Sequence, residues 1–143
     1  MVRRQNDVDI SNVERATIAN DAQADAFIRI HVNGSEDSTI NGVMTICQTS
    51  GNPYNSALYQ QSRAFAKDVL EGITTSTGCR KECVWETDTM SGINWWQVPV
   101  AIAEVGYMIN AEEDVRLATN EYQQQIVIGI ADGIDRFFSN DEK

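Results

Sequence analysis

Two short apolar runs stand out along the chain. Ala26-Phe27-Ile28-Arg29-Ile30-His31 is closed by Asn33-Gly34, and Gly42-Val43-Met44-Thr45-Ile46-Cys47 is closed by Ser50-Gly51-Asn52-Pro53. Each has the length and the turn-forming boundary of a strand. Leu58, Ser62, Phe65, Val69 and Ile73 recur at three-to-four spacing, which predicts a core-facing helix over 55–73. The polar stretch to Asn94 reads as loop, with a short strand at Cys83-Val84-Trp85. A third apolar run, Pro99-Val100-Ala101-Ile102-Ala103-Glu104-Val105, has its proline at the first position, where no ladder donor is missed. It is the expected central strand.

Helix signals frame these strands. Ser11-Asn12-Val13-Glu14 has the form of a capping box and predicts an Ala-rich helix to about Ala22. Ala111-Glu112-Glu113-Asp114 opens another helix, its acids read as favourable first-turn charge rather than as a metal cluster. Asn120 is the expected cap of a longer helix, in which Tyr122, Ile126, Ile130, Ile134 and Phe137 share a face. Strands alternating with helices of this length indicate a single α/β domain with a largely parallel sheet covered by helices on both faces. Val2-Arg3-Arg4 reads as the tail of a strand without its beginning, so the chain is expected to start inside a domain.

The 143 residues suffice for one domain with a real core. A formal charge of −10 would repel a phosphate backbone, which argues against a nucleic-acid partner. No apolar run approaches the roughly 18–20 residues of a membrane span, and the first seven residues lack the apolar stretch of a signal peptide. Of the three cysteines, Cys47 lies in an apolar run and is expected buried. Cys79 and Cys83 have no second pair with which to complete a structural zinc site, so free thiols or a surface disulfide is the expectation.

Open α/β sheets place ligands beyond the carboxyl ends of their strands, so polar residues that end apolar runs are candidates for chemistry. His31, the sole histidine, and Glu104 are such residues, and in a parallel sheet they lie on one rim. A carboxylate at the end of a buried strand costs free energy unless it pairs, binds a cation or acts as an acid or base. The structural alternative is that His31 donates to a loop carbonyl and Glu104 caps the next helix. A catalytic zinc commonly takes three protein donors and a water, and one histidine does not supply two of them. Trp95-Trp96 precedes the Glu104 strand, either exposed for stacking on sugar rings or covering the end of the sheet.

Several of these residues also carry a family pattern. Asn12-Val13-Glu14-Arg15-Ala16-Thr17-Ile18-Ala19-Asn20, then Ala24-Asp25-Ala26-Phe27-Ile28-Arg29-Ile30-His31-Val32-Asn33-Gly34, resembles the "Arg, Ala-Asn, Ala-Asp, Ser-Ile-His-Ala-Asn" segment of the zinc-dependent N-acetylmuramoyl-L-alanine amidases of type 3. Gly92-Ile93-Asn94-Trp95, Pro99 to Asn110 and Glu113-Asp114 resemble that family's "Pro-x-x-Leu-x-Glu-x-Gly-Phe-x-x-Asn, acidic pair" block. Tyr122-Gln123 and Gly129-Ile130-Ala131-Asp132-Gly133-Ile134 resemble its closing helix. Order and spacing agree over nearly the whole chain. Inside the match, Arg29 replaces a small serine, Val32 an alanine and Ile109 a serine.

The resemblance implies a peptidoglycan hydrolase that cleaves the amide between N-acetylmuramic acid and the L-alanine of the stem peptide with zinc-activated water. It makes His31 a zinc ligand, Glu104 the catalytic proton carrier, and Asn33, Trp95 and Asn110 substrate-binding residues. The family's other two zinc ligands, in an Asp-x-Gly-His-Gly-Gly turn and at a following glutamate, match nothing in the chain. The zinc site is therefore incomplete, a strand and crossover helix of roughly 30 or more residues is expected to be missing from the N-terminal side, and the chain alone is expected to be inactive. The expected partner is peptidoglycan or a muropeptide, and the expected location of the parent protein is the cell wall or the extracellular space. Self-association through an exposed sheet edge is also expected. The competing reading is a non-catalytic module with a degenerate amidase fold that binds muropeptides or regulates an intact enzyme.

Overall fold

A computed structural model describes residues 9–141; the Val2-Arg3-Arg4 expectation lies outside them. Four strands form one sheet: β1 (Phe27–Asn33), β2 (Val43–Cys47), β3 (Lys81–Glu86) and β4 (Val100–Tyr107), in spatial order β1-β4-β2-β3. β1 runs parallel to β4 and β2 parallel to β3, whereas β2 and β4 are antiparallel. Every residue of β4 is buried, as befits a strand with neighbours on both edges. Four helices pack around the sheet: α1 (Asn12–Asp21), α2 (Tyr59–Thr77), α3 (Ala111–Leu117) and α4 (Asn120–Asp141).

The two faces of the sheet are filled differently. Val43 and Cys47 of β2 and Ala101, Ala103 and Val105 of β4 pack with Phe65, Ala66, Val69, Leu70 and Ile73 of α2. Tyr122, Ile126, Ile130 and Phe137 of α4 complete this core, and Ile134 is partly buried against it. On the opposite face Ile46, Val100 and Ile102 meet Ala16 and Ala19 of α1 together with Ile93 and Trp96. The small alanines let α1 approach closely. Trp96 stacks on Phe27 with ring centroids 3.8 Å apart and donates Nε1–H to the Gly92 carbonyl, so of the two tryptophans it covers the sheet.

The α2 and α4 backbones touch through glycines. A Cβ on Gly72 would stand 2.1 Å from the Gly129 carbonyl oxygen, and one on Gly133 would stand 2.6 Å from Val69 Cα. No side chain fits there.

Several boundaries differ from expectation for identifiable reasons. α2 continues past Ile73, with Thr74 and Thr77 donating their hydroxyls to the Leu70 and Ile73 carbonyls, and stops at the left-handed Gly78 (φ +65°). β3 is longer than the predicted 83–85 because the carboxylates that flank it are satisfied laterally: Tyr107 donates to Glu82, and Tyr59 and Arg63 donate to Glu86. The capping box at Ser11 and Glu14 is present. Asn120, however, does not cap α4: the Thr119 hydroxyl accepts from the Tyr122 amide and takes that place. Cys47 is fully buried, which pushes its thiol up to about 12, and Cys79 and Cys83 are free thiols.

Glu113 goes beyond its expected role. It is 7 % exposed, and its two carboxylate oxygens accept from the Gly42 amide at 2.9 Å and the Tyr107 amide at 2.8 Å. It lies in the first turn of α3 as expected and, beyond that charge, clamps the Gly42 amide before β2 to β4. Glu113→Ala leaves two buried amides without acceptors and is expected to lower stability by about 3 kcal/mol or more, read as a fall in the urea midpoint at unchanged slope. Gly129→Ala, whose Cβ would lie 2.6 Å from Ile73 Cα, is expected to cost about 1–3 kcal/mol in the same measurement by forcing α4 away from α2.

Candidate active site

The parallel pairing of β1 with β4 puts His31 directly opposite Glu104, and the antiparallel pairing puts Met44 opposite Glu104 on its other side. His31, Glu104 and Met44 thus form one row across the sheet. Arg29, Ile102 and Ile46 form the next row in the same way. Both strands extend beyond the expected ends, β1 to Asn33 and β4 to Tyr107, so the pair lies just inside the rim.

A cleft of about 310 Å³ opens over these rows, lined by Arg29, His31, Ile102 and Glu104 from the sheet and by Thr89, Met90, Ser91 and Gly92 from the loop before β4. That loop is the wall that sequence reading missed. Its polar composition gave no periodic signal, and it is held from outside: Asn12 donates to Ser91 Oγ, and Asn20 donates to the Trp95 carbonyl and accepts from the Gln97 amide.

The charges in the cleft are poorly compensated. Glu104 is 9 % exposed and its Oε2 is buried without a hydrogen-bond partner among the described residues. Burial raises its carboxyl above the usual range, with the Arg29 guanidinium partly opposing that. His31 is exposed on the edge strand, and its imidazole is pushed below 6.5 by desolvation and by the positive charges of Arg29 and Arg15. Both groups are thereby biased toward their neutral forms. Neither structural alternative is realised among the described residues, since no hydrogen bond ties His31 to a loop carbonyl and α3 is capped by Asn110 rather than Glu104.

The remaining candidates are dispersed. Asn33 reaches Met44 Sδ at 3.8 Å and so stands beyond His31 along the same face. Trp95 is 39 % exposed, outside the cleft lining, and tilts against Tyr54 with centroids 4.8 Å apart. Asn110 does not reach the cleft. Its Oδ1 accepts from the Glu112 and Glu113 amides and its Nδ2 donates to the Ser38 and Ile40 carbonyls, which commits it to holding α3 and the loop before β2.

A zinc ion fits these residues poorly. No group of three His, Cys, Asp or Glu side chains able to hold a metal occurs among the described residues. The cleft offers one imidazole and one carboxylate, and it carries a guanidinium beside them.

The chain is similar to known proteins over most of its length. The model of the amidase type 3 family, described as N-acetylmuramoyl-L-alanine amidase, matches residues 1–136, and the chain belongs to that family. It is 32 % identical over 135 residues to the uncharacterised protein YqiI of Bacillus subtilis, covering 94 % of this chain and 62 % of YqiI. It is 28 % identical over 138 residues to the N-acetylmuramoyl-L-alanine amidase LytC of the same organism, covering 96 % of this chain and 26 % of LytC. The catalytic domain of the amidase CwlV from Bacillus (Paenibacillus) polymyxa superimposes with a TM-score of 0.81 at 29 % identity, over 95 % of this chain and 70 % of that one. The chain thus spans less than two thirds of the length of YqiI and of LytC.

The electrostatics make two predictions. The His31 imidazole is expected to titrate below 6.5 in a proton NMR pH series and to move back toward that value in Arg29→Ser. Because the Glu104 carboxyl binds its proton more tightly folded than unfolded, its contribution to stability is present at low pH and is lost as pH rises through 4.5 toward the folded value. Glu104→Gln is therefore expected to raise the urea midpoint at pH 7 and to leave it nearly unchanged at pH 4.

Proposed function

We propose that this chain belongs to a peptidoglycan hydrolase that cleaves the amide between N-acetylmuramic acid and the L-alanine of the stem peptide. The observation that carries the reading is the in-register pairing of His31 with a buried, unpartnered Glu104 at the floor of a cleft. Family membership and the likeness to amidase structures support it.

Glu104 is the proton carrier in this reading. A carboxyl raised by burial accepts a proton from water at the scissile carbonyl and passes it to the leaving amine, as general acid–base catalysis near neutral pH requires. His31 is proposed as the one zinc donor of this stretch, and the described residues do not complete the set. Asn33 is proposed to contact substrate along the floor, and the exposed Trp95 with Tyr54 to offer an aromatic surface to a sugar. Asn110 serves the site through α3. The substrate lies in the cell wall, which puts the parent protein there or outside the cell. No helix among the described residues is long and apolar enough to cross a membrane. β1 is an edge strand among the described residues, with Ile30 55 % exposed, and is proposed as the surface through which copies associate.

One observation favours a second reading, in which the chain grips muropeptides without cutting them: the described donors are too few for a metal. Purified cell-wall sacculi incubated with the protein and zinc separate the two. Release of peptides with free L-alanine amino termini, where it occurs, is expected to fall about 10²–10⁴-fold in Glu104→Gln. Release that Glu104→Gln leaves intact would remove Glu104 from the chemistry, and sacculus binding without release would establish the binder.

A further inference from the structure

The charge in the cleft is unusual for this chain. Against a net charge of −10, two guanidiniums, Arg29 and Arg15, act together on His31 and on one another. Arg29 lines the cleft, half-buried, and among the described residues its guanidinium makes no hydrogen bond and has no carboxylate within ion-pair distance. Arg15 at least donates Nε–H to the Ile10 carbonyl. A guanidinium that has lost part of its hydration is normally compensated by a carboxylate or a set of acceptors. Here Glu104 attracts Arg29 only at a distance, and Arg15 opposes that attraction with like charge.

The wall of the cleft is shaped around this side chain. A Cβ on Gly92 would lie 2.1 Å from Arg29 Nη1, so glycine at that position leaves the space in which the guanidinium rests. Ser91, beside it in the lining, accepts from Asn12 and keeps its own hydroxyl proton for another acceptor. Unspent guanidinium donors, a free hydroxyl donor and an opening of about 310 Å³ together describe a receptor for an anion with two oxygens.

We propose that Arg29 heads a carboxylate subsite in the cleft and selects peptides that present a free carboxylate there. This rests on the reading of the cleft as the place where a wall peptide binds, and it adds which peptides are accepted. A carboxylate forks onto the guanidinium and accepts from Ser91. The amide of the same peptide carries no charge and offers the guanidinium one weaker acceptor in place of a forked pair.

N-acetyl-alanyl-glutamate and its diamide, titrated into the isotope-labelled protein and followed by NMR, test this directly. The acid is expected to bind at least about tenfold more tightly than the diamide, with the preference shrinking as salt is added. Arg29→Ser is expected to abolish the preference and Arg29→Lys to keep part of it. Gly92→Ala, which displaces the guanidinium, is expected to reduce it with Arg29 still present. Equal binding of the two ligands, no binding of the acid, or a preference that survives in a folded Arg29→Ser protein would overturn the inference. The outcome is independent of cleavage. Sacculi left uncut bear on the hydrolase reading while the acid preference is still measured, whereas Glu104-dependent cleavage with indifference to the carboxylate defeats the Arg29 subsite alone.

Discussion

The carboxylate of Glu113 holds the junction on which the cleft depends. β2 and β4 pair over only three positions, Met44 with Glu104, Thr45 with Ala103 and Ile46 with Ile102. Beyond Glu104 that pairing ends, and the gap is closed by one side chain that accepts from the Gly42 and Tyr107 amides. Glu113 reaches that position because Asn110 caps the helix carrying it and also holds the Ser38 and Ile40 carbonyls of the chain entering β2. Cap and clamp are one unit, and they set the offset between β2 and β4. A shift of one residue there would part Glu104 from Met44 and break the row that runs across the sheet.

The two glutamates near this end of β4 have opposite fates. Glu113 is buried with both oxygens engaged by backbone amides, an arrangement in which each partner satisfies the other. Glu104, equally buried, leaves Oε2 without a partner, and among the described residues the opposing charge acting on it is a guanidinium beyond ion-pair reach. The fold gains nothing from Glu104 as a structural element, since a neutral side chain of the same shape would spare the desolvation cost. That asymmetry is the physical reason to assign chemistry to one carboxylate and architecture to the other. It cannot be seen in the residue types, which are identical.

Much of the architecture was legible because it rests on periodicity. The apolar faces of α2 and α4, the strand that carries His31, the apolar run that leads into Glu104 in β4 and the Ser11 capping box each follow from spacing that a helix or strand imposes on its buried side. So does the meeting of His31 and Glu104, once both are seen to end apolar runs of one parallel pair. Illegible features depended on side chains choosing distant partners. Thr119 displaced Asn120 as the α4 cap because hydroxyl and amide compete for the same helix amide and the turn geometry decides. Glu113 looked like helix-end charge because its targets, Gly42 and Tyr107, belong to other elements. The cleft wall at 89–92 has no pattern of its own, being positioned by α1 through Asn12 and Asn20. Asn110 matched the family's motif, yet its hydrogen bonds show that a residue can sit inside a functional motif in order to hold the scaffold.

Arg29 joins these threads, because its effect depends on what the neighbouring elements withhold. On an ordinary exposed strand an arginine finds water or a mobile carboxylate. In this cleft α1 brings Arg15, the wall brings a glycine and hydroxyls, and the carboxylate in the lining, Glu104, is fixed in β4. A positive potential is thus built into the floor beside His31. The same potential that lowers the imidazole's proton affinity lowers its affinity for any cation placed there, so anion recognition and metal retention compete for one set of neighbours. An arginine where the family pattern has a small serine therefore alters more than the shape of the groove: it shifts which charge the groove holds.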